Sequence, residues 1–226
     1  SNIPVLLPTV RAERFWYFPA IGTAMLVGVS LKTMLDEARP RRKLYLAMCG
    51  LVAAFVLFQG VCARKHANDY ADDLAFWDAT RKAVPRSAKA HLNYSVMKGA
   101  RGDLQTRLES NGVALQLAPE WPMASVYYGD TLCRLHRAPE AWPYYVKGFE
   151  LAPNDVNLIA LGLQCLWDEK VISHEGDERT ELEAMKDRHP GSWLEYLGRD
   201  IIEKGEEHGG VDPKYRPRGY NEGPKD

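Results

Sequence analysis

The sequence lacks the compact motifs that announce most catalytic centres. It has no Gly-x-Ser-x-Gly elbow, no glycine-rich phosphate loop, no His-Glu-x-x-His pair and no paired Cys-x-x-Cys, which leaves serine hydrolases, P-loop nucleotide hydrolases and zinc-binding proteases without support. Cysteine is scarce: four in 226 residues are too few for a disulfide framework. Cys49 and Cys62 lie inside an apolar run, and Cys133 and Cys165 are expected as buried free thiols. A bridge between neighbouring helices is the alternative for that pair in an oxidising compartment. Charge of one sign is lacking too. With 29 basic against 30 acidic residues, there is no polyanion-binding signature, and nucleic acid is not an expected partner. The opening SNIPVLLPTV has neither an initiator Met nor the basic start and cleavage site of a signal peptide, so the chain is read as a processed or partial polypeptide.

What the chain does have is apolar residues bunched at its front. Residues 44–63 run twenty positions without a charge, about the length that crosses a hydrocarbon core of roughly 30 Å. Residues 15–31 form a second uncharged run that opens on Phe15, Trp16, Tyr17 and Phe18, an aromatic cluster of the kind found at membrane interfaces. The expectation is a transmembrane hairpin with spans at 15–34 and 44–63. The loop 32–43 carries Lys32, Arg39, Arg41, Arg42 and Lys43, and by the positive-inside rule it is cytoplasmic. Residues 1–14 and everything after Arg64 are then extracytoplasmic.

Behind the hairpin, Pro85, Pro119 and Pro153 are spaced by 34 residues. That period belongs to the tetratricopeptide repeat, in which each unit is a helix, a tight turn and a second helix stopped near a proline. The unit starting at Pro122 places Gly129, Ala141, Tyr145 and Pro153 where the repeat wants small residues at the helix crossing, an aromatic against the next unit and a stop. The preceding unit keeps Ser95, Ala114 and Pro119, has Gly102 at the turn, and puts Arg107 where a small residue is usual. A third starts near Asp155 with Gly162 in register, then drifts into capping helices, as a terminal repeat must cover an apolar face with a polar one. The fold expected is therefore all-α, a two-helix transmembrane hairpin followed by a tetratricopeptide-repeat α-solenoid. Residues 64–87 are a linker and half-repeat helix, 88–206 the solenoid, and 207–226, rich in Gly, Pro and charge, a flexible tail.

In such a solenoid the first helix of each unit lines the concave face, where an extended peptide binds. The residues projected there are Lys89, Asn93 and Val96, then Met123, Tyr127, Asp130 and Arg134, then Ile159 and Trp167. Asn93 and Arg134 suit a peptide backbone, and Tyr127 and Trp167 offer amphipathic contact. Arg11, Glu13 and Arg14 sit at the membrane boundary beside Trp16 and Tyr17, either as interfacial anchors or as partners for a lipid phosphate. The His66, Asp69, Asp72 and Asp73 group is read as a helix cap rather than a metal set. His174, Glu175, Asp177 and Glu178 are read as a solvated loop. No metal site is expected, and the residues themselves call for no cofactor.

Ser1 and Asn2, Glu13 and Arg14, Tyr17 and Pro19, followed by Trp77, the stretch PRSAKAHLN at 85–93 and the repeats, resemble the C-terminal part of the transmembrane-and-tetratricopeptide-repeat protein O-mannosyltransferases, C-type membrane glycosyltransferases. The resemblance implies a polyprenyl-phosphate sugar donor near Arg11, Glu13, Arg14 and Tyr17, an acceptor protein held by the solenoid, and a periplasmic or lumenal location. That family's catalytic carboxylate lies several spans upstream of anything in this sequence, and the Asp72 and Asp73 pair, which follows the last span, does not replace it. The alternative is a non-catalytic scaffold of a larger membrane assembly, with membrane lipids and other proteins as its partners.

Overall fold

The computed structural model describes residues 17–217. Arg11, Glu13 and Arg14 lie outside the described residues, as does the side chain of Tyr17. The described residues are all-helical and contain no strand. The chain divides into two compact units, up to Thr80 and from Arg81 onward.

The first unit holds α1 (Tyr17–Ala38) and α2 (Arg42–Ala67), then a short 3-10 helix at Asn68–Tyr70 and the start of α3 (Asp73–Ala83). No residue of α2 is buried, and the helical stretch Arg42–Tyr70 is long and apolar enough to cross a membrane by length and composition. It is the single stretch among the described residues that meets that standard. The described uncharged part of α1, residues 17–31, is diluted by Pro19, Gly22, Thr23, Gly28 and Ser30. The expected loop 32–43 shrinks to residues 39–41. Nothing in LKTMLDEA breaks a helix, and the stop falls at Arg39 because a residue before proline, here Pro40, is pushed out of the helical region. The two helices meet close to this turn, where Leu31, Leu35, Ala38, Tyr45, Met48, Cys49 and Val52 lose exposure. At the start of α3, Asp72 accepts a hydrogen bond from the Ala75 N–H at 2.8 Å, and His66 and Asp69 pair at 3.0 Å.

The second unit is built on a 34-residue beat. Helices α4 (Ala88–Gly99), α6 (Pro122–Arg134) and α8 (Val156–Asp168) start 34 residues apart, and so do α5 (Leu104–Leu117) and α7 (Ala138–Leu151). The turn leaving the first helix of each pair needs one residue in the left-handed region. Gly102 (φ 79°), His136 (φ 58°) and Lys170 (φ 60°) hold it, again at intervals of 34. The caps differ in chemistry: Ser87, Asp103 and Asp155 accept backbone N–H bonds, whereas α6 starts on a proline, whose missing N–H is no loss there.

Packing follows the same beat. Helix α4 lies on α5 and α6 on α7, and both α5 and α8 lie against α6. A Cβ on Gly129 would come 3.3 Å from the Ala141 carbonyl, and one on Gly162 would come 2.5 Å from the Phe149 ring and 2.7 Å from the Tyr145 ring. Glycine at these crossings lets the aromatic side chains of α7 reach α8. The core around them contains Val126, Leu132, Tyr145, Phe149, Ile159, Leu163 and Leu166, each large side chain contributing roughly 1.5–3 kcal/mol on burial. Cys133 and Cys165 form a disulfide between α6 and α8, with Cα atoms 6.4 Å apart. This corrects the expectation of free thiols: a separation of 32, two residues short of the period, turns them to facing flanks of neighbouring helices.

After the turn at Lys170 the beat is lost. The connection to α9 (Asp177–Arg188) is longer, with His174 and Glu175 exposed in it, whereas Asp177 and Glu178 form the first turn of α9. Helix α10 (Trp193–His208) packs on both α8 and α9. Trp142 Nε1 on α7 donates to Glu181 Oε2 on α9 at 2.5 Å. The tail expected from 207 is ordered as far as it is described. Val211 is buried and donates its N–H to Gln164 Oε1 at 3.0 Å, and Arg216 donates to the carbonyls of His208 and Val211 at 2.8 and 3.0 Å. One apolar anchor and one buried amide outweigh the composition of the segment.

Candidate protein-binding face

Helices α4, α6 and α8, the first members of successive pairs, lie side by side, so the nine residues projected from the sequence are brought to one run of helices. Not all of them face outward. Lys89 is exposed, and Asn93 and Val96 are half-buried, with the Asn93 amide donating back to the Lys89 carbonyl at 2.8 Å. Met123 and Tyr127 are half-buried against the core. Arg134 keeps 34% of its side-chain exposure. Ile159 is fully buried and Asp130 is 1% exposed at its side chain, so neither can touch a partner, which corrects their assignment to the surface. Trp167 is half-buried with its ring over Gly205 of α10, where a Cβ would fall 2.5 Å from the ring. The extra helix covers what a further repeat would have covered, and takes Trp167 out of an open groove.

Beneath the face lies a polar seam. The carboxylate of Asp130 is bonded through Oδ2 to Arg107 of α5 at 2.5 Å and to Arg134, one turn later on α6, at 2.9 Å. Arg107 is buried, its stem lying over Gly99, where a Cβ would meet it at 2.5 Å. The residue that departs from the repeat pattern thus works as the clamp between two pairs. Next to it, Ser95 of α4 donates to Asn111 of α5. The Asn111 amide donates to Thr131 Oγ1 at 2.9 Å and to the Tyr127 carbonyl at 3.0 Å, both on α6. This seam was invisible in the sequence except as the Arg107 mismatch.

Arg134, bonded to Asp130, carries the exposed end of the seam. Beside it, burial raises the ionisation of the Tyr127 phenol above its ordinary value, and the Asp130 carboxylate raises it further. The phenol stays a neutral hydrogen-bonding group near pH 7. The surface can therefore offer a cation, a phenol, the Asn93 amide and the stem of Met123 to an extended partner. No protein-family model matches the chain, and no curated protein matches it either.

Proposed function

We propose that this chain is a membrane-anchored protein-binding module whose helix pairs are tetratricopeptide-like repeats arranged as a short solenoid. The observation that carries the reading is the shared 34-residue beat in helix starts and left-handed turns, which sets α4, α6 and α8 in a row behind Tyr127 and Arg134. The spanning-length stretch Arg42–Tyr70, with Leu51, Leu57 and Val61 each at least 70% exposed, supports membrane anchoring, with residues 15–34 as the second arm. The basic turn between α1 and α2 supports a cytoplasmic hairpin tip. The Cys133–Cys165 bridge fits repeats held in an oxidising, extracytoplasmic compartment. The partner is an extended peptide segment lying across Tyr127 and Arg134.

The likeness to protein O-mannosyltransferases supplies the sharper version, in which the repeats hold an acceptor near a lipid-linked sugar that Arg11, Glu13, Arg14 and Tyr17 help to bind. A scaffold without chemistry of its own is the other version. A photo-crosslinking residue at Tyr127 in native membranes tests the shared part: adducts should form there and weaken with Arg134→Glu, while a probe at Glu109 on the exposed side of α5 should stay blank. Equal labelling at both positions would sink it. The intact mass of the mature polypeptide, set against 25.5 kDa for these residues, separates the versions, a much larger mass favouring the enzyme.

A further inference from the structure

Three potential metal ligands converge where α10 ends. Asp200, His208 and Asp212 each offer a ligand atom, and the three atoms lie within 4.8 Å of one another. Asp200 and His208 are eight residues apart, so helical geometry puts them on one face, two turns apart. Asp212 arrives from the other side of the Gly209–Gly210 turn, where both glycines adopt positive φ (66° and 113°) and swing the chain back over the helix.

The environment of these atoms separates them from an ordinary acidic surface. The Asp200 side chain is 10% exposed and that of His208 22%. Asp200 Oδ2 and His208 Nδ1 are both buried without a hydrogen-bond partner. They face each other at 3.6 Å, too far for a hydrogen bond. It is close to the separation of about 3.4 Å that two ligand atoms have when each sits about 2.1 Å from a tetrahedral zinc ion. Other charges nearby are modest: Lys204 Nζ is 3.8 Å from Asp200 Oδ1, and the Arg216 guanidinium is turned to the His208, Gly209 and Val211 carbonyls. Asp212 keeps one oxygen engaged with the Lys214 N–H at 2.9 Å, which orients the carboxylate.

We infer that Asp200, His208 and Asp212 form a binding site for a divalent transition metal, with Zn²⁺ the best match. One imidazole nitrogen and two carboxylate oxygens suit Zn²⁺ better than Ca²⁺ or Mg²⁺, which prefer all-oxygen shells. The ion ties the loop after α10 to the helix. That loop carries Tyr215, whose ring makes edge contacts with Trp193 and Tyr196 at 5.4 and 5.8 Å. These three rings, with Asn154, Gly191 and Ser192, line a cleft of about 430 Å³. Metal binding thereby fixes one wall of an aromatic cleft. The site stands on its own geometry and does not depend on the protein-binding reading.

The test is calorimetric titration of the full chain in detergent, stripped with chelator, with Zn²⁺, using Ca²⁺ as the comparison ion. One Zn²⁺ per chain is expected, with affinity at least about tenfold weaker in His208→Ala and in Asp212→Asn. Far-ultraviolet circular dichroism checks that each variant keeps its helices. On the unaltered chain, Zn²⁺ should slow amide exchange in residues 209–217. Absence of stoichiometric uptake overturns the site, as does uptake unchanged by both substitutions or protection that falls elsewhere in the chain.

Discussion

The first and second helix pairs of the repeat unit share a register and almost nothing else. Helices α4 and α5 are joined to α6 by polar groups: Ser95 to Asn111 to Thr131, and Arg107 to Asp130. Helices α6, α7 and α8 are joined by rings against glycines, by a continuous apolar core and by a disulfide. The backbone tolerates either because the period fixes where the helices cross, not what fills the crossing. Apolar contacts adjust to small shifts. The polar seam does not, since a buried donor or acceptor that loses its partner costs more than the bond contributed.

Cutting the polar side should therefore have the largest effect. Asp130→Ala leaves Arg107 buried without its counter-charge, and stability should fall by about 3–5 kcal/mol, read as the midpoint of urea unfolding. Arg107→Met, which removes the charge but keeps the stem, should cost clearly less, and an equal cost would mean that packing rather than charge sets the seam. On the apolar side, replacing Cys133 and Cys165 by serine should cost about 2–4 kcal/mol, and the loss should shrink when both proteins are compared under strong reductant, leaving only the cost of two buried hydroxyls in place of thiols. Gly162→Ala drives a methyl into the rings of Tyr145 and Phe149 and should cost about 1–3 kcal/mol in thermal unfolding.

Asp103 gives a smaller, pH-dependent signal. The Thr106 backbone N–H, then the Thr106 hydroxyl and Lys98, hold its carboxyl below the ordinary aspartate range. A depressed folded value means the stabilisation is present above the unfolded value near 3.9 and fades as pH falls through the folded one. The Tm gap between the parent chain and Asp103→Ala should hold from neutral pH down to about 4 and close below it. Smallest of all, Lys170→Gly should raise stability by about 0.5–1 kcal/mol, since glycine removes the cost of the left-handed turn and returns part of it as chain entropy. His136→Gly is less clean because His136 also pairs with Glu169 at 2.9 Å.

How far these features could be read from the sequence follows from their range. The prolines and small residues mark helix ends and crossings through local sterics, so the starts of α4, α6 and α8 and the tight fit at Gly129 and Gly162 were legible. The turns at His136 and Lys170 were not, because a favourable fold can hold an ordinary residue at positive φ. Arg107 was visible as a mismatch, yet its partner is 23 residues away, and burial of an ion pair is a property of the assembled helices. Ile159 was projected outward because a helical pattern alone does not say which flank the next element covers. The segment around Asp212 was read as tail because its anchor, Val211, is one residue in a polar run. The hairpin turn was drawn too long, since charge was taken as a stop where only Pro40 stops the helix.

The Cys133–Cys165 link also governs how the protein bears load. Pulled from its two ends, the chain must carry tension across the sulfur bridge, and the 32-residue loop it closes is shielded. That loop holds about 100 Å of extensible chain at 3.3–3.6 Å per residue, hidden while the bridge is intact and released on reduction. Helices α4 and α5 before the loop, and α9 and α10 after it, lie outside its protection. Reduction therefore changes how far the second unit can be drawn out, while the helices outside the bridge are unaffected by it.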